Sequence, residues 1–417
     1  MNQWKMLVSA LVLIPAALPC YAADIHGSSG KFEATLQMSF SMGSGAHLEL
    51  DGVTGDIELR ARDQNEVDLQ IDLVMEVLTK AEAEEIMDRI SGSVTQEDNR
   101  LVISGPEGLK NVQCRYSFKV PRTIHVRAET RAGDVSAEGL RADLELNSRG
   151  GDLAVKAHAG QARLLSSGGD IALSGISGTL HASTAGGDID MEEIHGDTQV
   201  ETRGGDISVA SASAKIAMVT AGGDINISRA TDRVSARTLG GDIEVSGCSG
   251  SDLSLETEGG DIELQAIGSS VSARTQGGDI QGADLDGALS VRTAGGDIDL
   301  GRVRAPVKAH CANGDIQIEV TLSDFSKPHH MELNSISGDI SLILPAGLPA
   351  QIDAKVRSSG SQRIGENYDI YSDFPLAREP GDETGAGWLR SKGEINGGGD
   401  LIRLNAQRGD ITIKKSE

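Results

Sequence analysis

Aspartate recurs in this chain at positions 134, 152, 170, 188, 206, 224, 242, 261, 279, 297 and 315, each time directly after glycine. Nine of the ten intervals are 18 residues and one is 19. Weaker marks extend the series to Asp56 on one side and to Asp339, Asp400 and Asp410 on the other. Carboxylates brought together in a row could do one of two things. They could supply the oxygen-rich surroundings that Ca²⁺ favours, or they could accept hydrogen bonds from turn amides as ordinary turn-formers. Calcium-binding nonapeptide repeats follow G-G-x-G-x-D-x-U-x. Here the Asp follows Gly directly and only once per period, so the turn-forming reading is preferred and specific calcium binding is kept as the alternative.

The elements that position these carboxylates follow from the same period. After the Asp comes Ile at 171, 189, 207, 225, 243, 262 and 298, with an apolar partner two residues on, such as Leu173, Met191 or Leu264. Before it come pairs such as Leu144/Leu146, Leu253/Leu255 and Leu289/Val291. This alternation marks strands with one buried face. A further apolar position falls six residues after the Asp, at Leu140, Ile176, Ile194, Cys248, Ile267, Leu285 and Val303. An 18-residue unit with two short strands cannot bury its apolar face alone, but stacked copies can. The fold class is therefore all-β, a parallel β-solenoid with 18-residue coils. Right-handed coiling is expected from the general preference of crossovers. At about 4.8 Å per coil, ten periods span about 48 Å.

Gly-Gly is expected to supply positive φ at a tight corner. Four residues before each Asp from 134 to 297 lies a hydroxyl, from Thr130 and Ser148 through to Thr275 and Thr293, which could bond from coil to coil. The 19-residue interval contains SGCSGSD (246–252), so the extra residue is placed as a bulge in that bend.

The chain divides into a signal peptide over 1–22, a β-rich flank over 23–125, the regular array over 126–320, and irregular C-terminal coils over 321–417. The leader reading rests on Lys5, the apolar run 6–18 and the small residues before the expected cleavage point, with Pro15 and Pro19 arguing against a retained anchor. No other stretch is apolar enough to span a membrane. One helix is expected near 79–91, with Thr79 and Glu82 as a capping box, Ile86, Met87 and Ile90 on one face, and Gly92 at its end. The flanks would cap the exposed edges of the solenoid.

Net charge is −24, which argues against nucleic acid as a partner because phosphate recognition relies on clustered Lys and Arg. After the leader three cysteines remain, Cys114, Cys248 and Cys311, with no paired CxxC spacing for zinc or a disulfide framework. Cys248 and Cys311 sit at inward or corner phases and read as small core residues, too far apart along the rod to bridge. His158, His181, His195 and His310 share no common phase, and His329-His330 reads as a surface pair in a loop. The RGD at 408–410 is the repeat's own Gly-Asp preceded by Arg.

FKVPRTIHVRAETRAGDV (118–135), SISGDISLILPAG (335–347) and RGDITIKK (408–415) resemble a bacterial family of putative adhesins, across roughly 30–415. The resemblance implies an exported, envelope-associated β-solenoid without enzymatic activity; its motifs carry no catalytic residues.

The residues themselves point the same way. Uniform 18-residue coils leave no room for the long loops with which β-helix enzymes build a polysaccharide-cleaving groove. No Phe, Tyr or Trp occurs between 126 and 315. GxSxG, HExxH and Walker motifs are absent. No catalytic, cofactor-binding or metal-ligating residue is assigned, and no cofactor. The reading is a monomeric structural or binding rod of the cell envelope, with an envelope protein or polysaccharide as partner. A calcium-binding repeat protein, a filament-forming scaffold and, last, a polysaccharide-active enzyme are the alternatives. If there is a binding surface, Tyr368, Tyr371, Phe374 and Trp388 near the C-terminus would form it, unless they pack a capping core instead.

Overall fold

A computed structural model describes residues 24–416, apart from 29, 107, 110, 251, 358–367 and 380–386. The expected leader lies outside the described residues.

Two long sheets, each of nineteen strands among the described residues, run the length of the molecule. Each coil gives one strand to each. Leu144–Ser148 lies in what we call sheet B, and Leu153–Lys156, after the Gly-Gly-Asp corner, in sheet A. The array pairs in parallel and, apart from a register shift between Leu300 and Val303, in register, as in Ile171 against Ile189 and Leu173 against Met191. One inward column of sheet A therefore runs Val135, Leu153, Ile171, Ile189, Ile207, Ile225, Ile243, Ile262, Ile280, Ile298 and Ile316, all at most 1% exposed. Burying each Ile is worth about 1.5–3 kcal/mol, an upper figure for an extended-chain reference. This is how short strands without aromatic side chains build a core. The six-after-Asp column is buried as expected. The extra residue falls in the expected bend: Ile227 pairs with Val245 eighteen residues on, and Val234 with Leu253 nineteen residues on.

The stacking order departs from the chain order at both ends. The coil formed by His47–Val53 and Asp56–Arg62 lies directly against the array's first coil, His125–Thr130 and Val135–Glu138. Its other side is covered by Arg100–Ser104 and Val112–Pro121. At the far end the last coil, Asp400–Ala406 and Ile411–Lys415, stacks on Met331–Ser337 and Ile340–Leu344. Ala350–Arg357 and Ile370–Ser372, which precede it in sequence, lie outside it. Both terminal coils are thus held between others.

Beyond these interleaved coils the pairing turns antiparallel. Lys31–Ser41 pairs with Glu66–Met75, and that strand pairs with Val112–Pro121. At the other end Ala350–Arg357 pairs with Trp388–Ile395. Such strands cannot continue an 18-residue coil, so they close the ends. The helix spans Lys80–Ser91 with the Thr79–Glu82 capping box formed, and Ile90 is fully buried. It lies against the first two strands of the N-terminal ribbon.

Candidate functional site

The Gly-Asp corner of one coil shows what the repeated carboxylates do. Thr220 Oγ1 donates to the carbonyl of Gly205 in the preceding coil (2.9 Å) and accepts from Gly223 N–H in its own (3.2 Å). Asp224 N–H donates to Asp206 Oδ1 (2.8 Å), and Asp224 Oδ1 in turn accepts from Asp242 N–H (2.8 Å). The pattern repeats from Asp134 to Asp315 and continues through Asp339, Asp410 and Asp369. Each carboxylate therefore satisfies an amide of the next coil rather than one in its own turn. The hydroxyls bond glycine backbone, not one another. Cys311 takes the hydroxyl's place in its coil, with Sγ 3.2 Å from Gly296 O.

Asp400 does not join this ladder. Its carboxylate accepts the amide of His329 (2.7 Å) at the other side of the coil, while Asp369, which no Gly-Asp step marks, supplies the last rung.

The glycines also differ from expectation. Across the array, the second glycine of each pair lacks a positive φ except at Gly133 and Gly314. It is needed for space: a Cβ on Gly223 would lie under 3.0 Å from the Gly205 carbonyl below it. A Cβ on Gly222 would meet nothing closer than 3.6 Å. Accordingly the first glycine is replaced by Ala132, Asn313, Ser337 and Arg408 in other coils, and the second is retained. Positive φ belongs instead to the corner five residues after the Asp, at Gly139, Ala157, Gly175, Glu193, Gly247, Ala266, Asp284 and Arg302. Most of these are not glycine, so the signal is hidden in the sequence.

Among the described residues no set of three or more His, Cys, Asp or Glu side chains is disposed to hold a metal ion. Cys248 and Cys311 are buried and Cys114 half-buried. Burial raises all three thiols, Cys311 to about 11 with the Asp297 charge adding to it.

The histidines are brought to different places. His329 is buried, not on the surface: its ring nitrogens lie 2.9 Å from Lys327 O and 2.8 Å from Pro349 O. It ties the loop before Met331–Ser337 to the turn before Ala350–Arg357. His158 occupies the six-after-Asp column between Leu140 and Ile176, 1% exposed, with neither ring nitrogen hydrogen-bonded. Desolvation lowers its pKa, while the carbonyls of Gln161, Gly160 and Leu140 and the Asp143 charge pull the other way. His195 Nδ1 lies 2.8 Å from Ser213 Oγ, and His181 is exposed.

His47 and His125 each lie nine residues before a Gly-Asp aspartate, Asp56 and Asp134, and the interleaved coil stacks their rings with centroids 5.0 Å apart. His125 Nδ1 lies 3.4 Å from Asp143 Oδ2. Together with Arg100, Arg127 and Arg163 they border a groove of about 650 Å³ on the outer face of sheet B. Charges on this face are largely matched between neighbouring coils, as in Arg127–Glu145 (3.9 Å), Arg149–Glu129 (3.5 Å) and Arg233–Asp252 (3.8 Å).

The four C-terminal aromatics share the cap but not one surface. Phe374 is buried with Lys415 over its ring, and Tyr368 packs partly buried against the core. Trp388 is half-buried with Lys355 Nζ 4.4 Å from its ring centroid. Tyr371 alone points out, 54% exposed.

Comparison with known proteins places the repeat in a family. None of the curated proteins compared matches the chain. Among solved structures it is similar to a putative adhesin from Bacteroides fragilis at 13% identity, covering 92% of this chain and 97% of that one, with a TM-score of 0.26. A putative cell adhesion protein from Clostridium sporogenes is 9% identical over 95% of this chain and 100% of that one, TM-score 0.15. A putative adhesin from Parabacteroides merdae is 13% identical over 74% and 96%, TM-score 0.18. The Toastrack DUF4097 family model matches residues 120–213 and 196–332, which together cover just over half of the sequence and nearly all of the Asp ladder. The chain belongs to the Toastrack DUF4097 family.

Proposed function

We propose that this protein is a non-catalytic rod of the bacterial envelope that presents an extended surface for binding. The observation carrying this reading is the Asp ladder. The one repeated constellation with chemical potential is spent on holding coils together, each carboxylate accepting the amide of the next coil at 2.7–2.9 Å from Asp152 to Asp339. A rod so built offers two long outer faces and closed ends. The leader expected over 1–22 supports export, and the antiparallel caps argue against end-to-end growth into filaments.

The purified mature protein should bind saturably to envelope fractions of its own kind of cell and release no soluble sugar or peptide from them. Time-dependent release of fragments by the protein would make it an enzyme and end this reading. Absence of any saturable binding would end it as well.

A further inference from the structure

On the outer face of sheet B, strands Val271–Arg274, Leu289–Thr293 and Val307–Asn313 lie side by side. Their register sets Arg274 against Arg292, and Arg292 against His310. Like charges directly opposite one another in a sheet are destabilising, and where Lys355 faces Arg390 on this sheet, Asp353 and Glu379 answer the arginine. Arg237 meets Glu256 at 3.5 Å and Lys308 meets Glu332 at 3.5 Å. Glu256, the neighbour of Arg274 on its other side, is engaged with Arg237. Among the described residues no carboxylate lies within ion-pair distance of Arg274 or Arg292, and both are exposed. Desolvation and then the Arg292 charge lower the pKa of His310, so the ring is a neutral neighbour at pH 7 and adds no charge to the strip. In the adjacent outward column Ser235, Ser254, Ser272 and Ser290 stack in register and end on Lys308.

We infer that Arg274 and Arg292, with Ser272 and Ser290 beside them, form a binding strip for an anionic polysaccharide lying along the rod. This inference rests on the reading of the protein as an envelope-binding rod and names its partner class. In a chain of net charge −24, two unanswered guanidiniums on successive coils form a local positive strip with a rise of about 4.8 Å. A polymer carrying regularly spaced carboxylates or sulfates can answer both, bidentately at each arginine. The serine column offers hydroxyls to the sugar. The strip has no aromatic platform on which bases could stack, unlike single-strand nucleic-acid grooves.

Affinity electrophoresis of the full chain through gels containing polygalacturonate, dextran or duplex DNA tests this. The protein should be retarded by polygalacturonate and not by dextran, and the retardation should weaken as salt rises. The double variant Arg274→Gln/Arg292→Gln should lose at least about tenfold in apparent affinity, as removal of two charge-assisted contacts requires. Its melting temperature should be unchanged or raised, because a like-charge contact is relieved. Arg302→Gln, which removes a guanidinium already paired with Asp284 (2.8 Å), should bind as the parent does. Equal retardation by dextran, an unaffected double variant, or DNA bound as tightly as polygalacturonate would each overturn the inference. If the double variant still binds envelope fractions saturably, the strip is wrong and the rod reading stands; if the parent binds no envelope fraction, the rod reading itself has failed.

Discussion

Asp242 donates its amide hydrogen to Asp224 Oδ1 at 2.8 Å, eighteen residues and one full coil away. The aspartate is therefore an acceptor first and a charge second. Asp224→Asn keeps the oxygen and removes a repulsion along the corner, so its melting temperature should match or exceed that of the parent. Asp224→Ala leaves the Asp242 amide without its acceptor and should cost about 1–2 kcal/mol. Chelating calcium should leave both melting curves where salt alone puts them. A calcium-selective stabilisation that saturates with several ions per chain, or Asn as harmful as Ala, would reassign the ladder to metal binding.

Gly222 and Gly223 are neighbours with opposite tolerances. Gly222→Ala places its methyl no nearer than 3.6 Å to any atom and should stay within about 0.5 kcal/mol of the parent. Gly223→Ala drives a methyl into the backbone of the coil below and should cost about 3 kcal/mol or more. Urea unfolding followed by circular dichroism distinguishes them. Equal effects would mean that the corner is held by backbone conformation and not by space.

His158 makes a pH prediction. In the folded chain its pKa lies below the ordinary 6.5, so the unfolded chain binds a proton that the folded chain refuses. Stability contributed by the neutral ring is present above about pH 6.5 and is lost as the pH falls below it toward the folded pKa. His158→Leu continues the Leu140 and Ile176 column and removes two buried nitrogens without partners. It should raise stability by about 1–3 kcal/mol and flatten the profile below about pH 6.5. A variant that melts lower at every pH would show that the ring is satisfied in solution.

Coil deletions test the stacking order. Removing residues 225–242 joins Asp224 to Ile243 and keeps both ladders in phase, so the variant should remain folded and all-β, shorter by about 4.8 Å. Removing 225–233 puts bend residues into strand positions and should cause unfolding or aggregation. Removing 400–417 takes out a coil with neighbours on both sides. It should lower the melting temperature far more than the in-phase deletion, although both remove eighteen residues. If the C-terminal deletion proves as mild as the central one, the last coil is peripheral rather than enclosed.

The sequence determined everything whose cause lies within one period. The 18-residue spacing, the alternating Ile and Leu positions, the hydroxyl before the corner and the capped helix at Lys80–Ser91 are each written in local order, because identical coils impose identical phases. What lies between coils was decided only by the tertiary structure. The acceptor role of Asp206 toward Asp224 depends on an amide from another coil. Close approach, not positive φ, demands Gly223, and that approach exists only once the coils are stacked. The opposite corner takes positive φ at Ala157 and Glu193, residue types that give no warning of it. His47 reaches His125, and Asp410 sits between Asp339 and Asp369, because free strand edges pair by register and shape and not by order along the chain. An 18-residue period fixes how each coil is built but leaves open which coil covers which end.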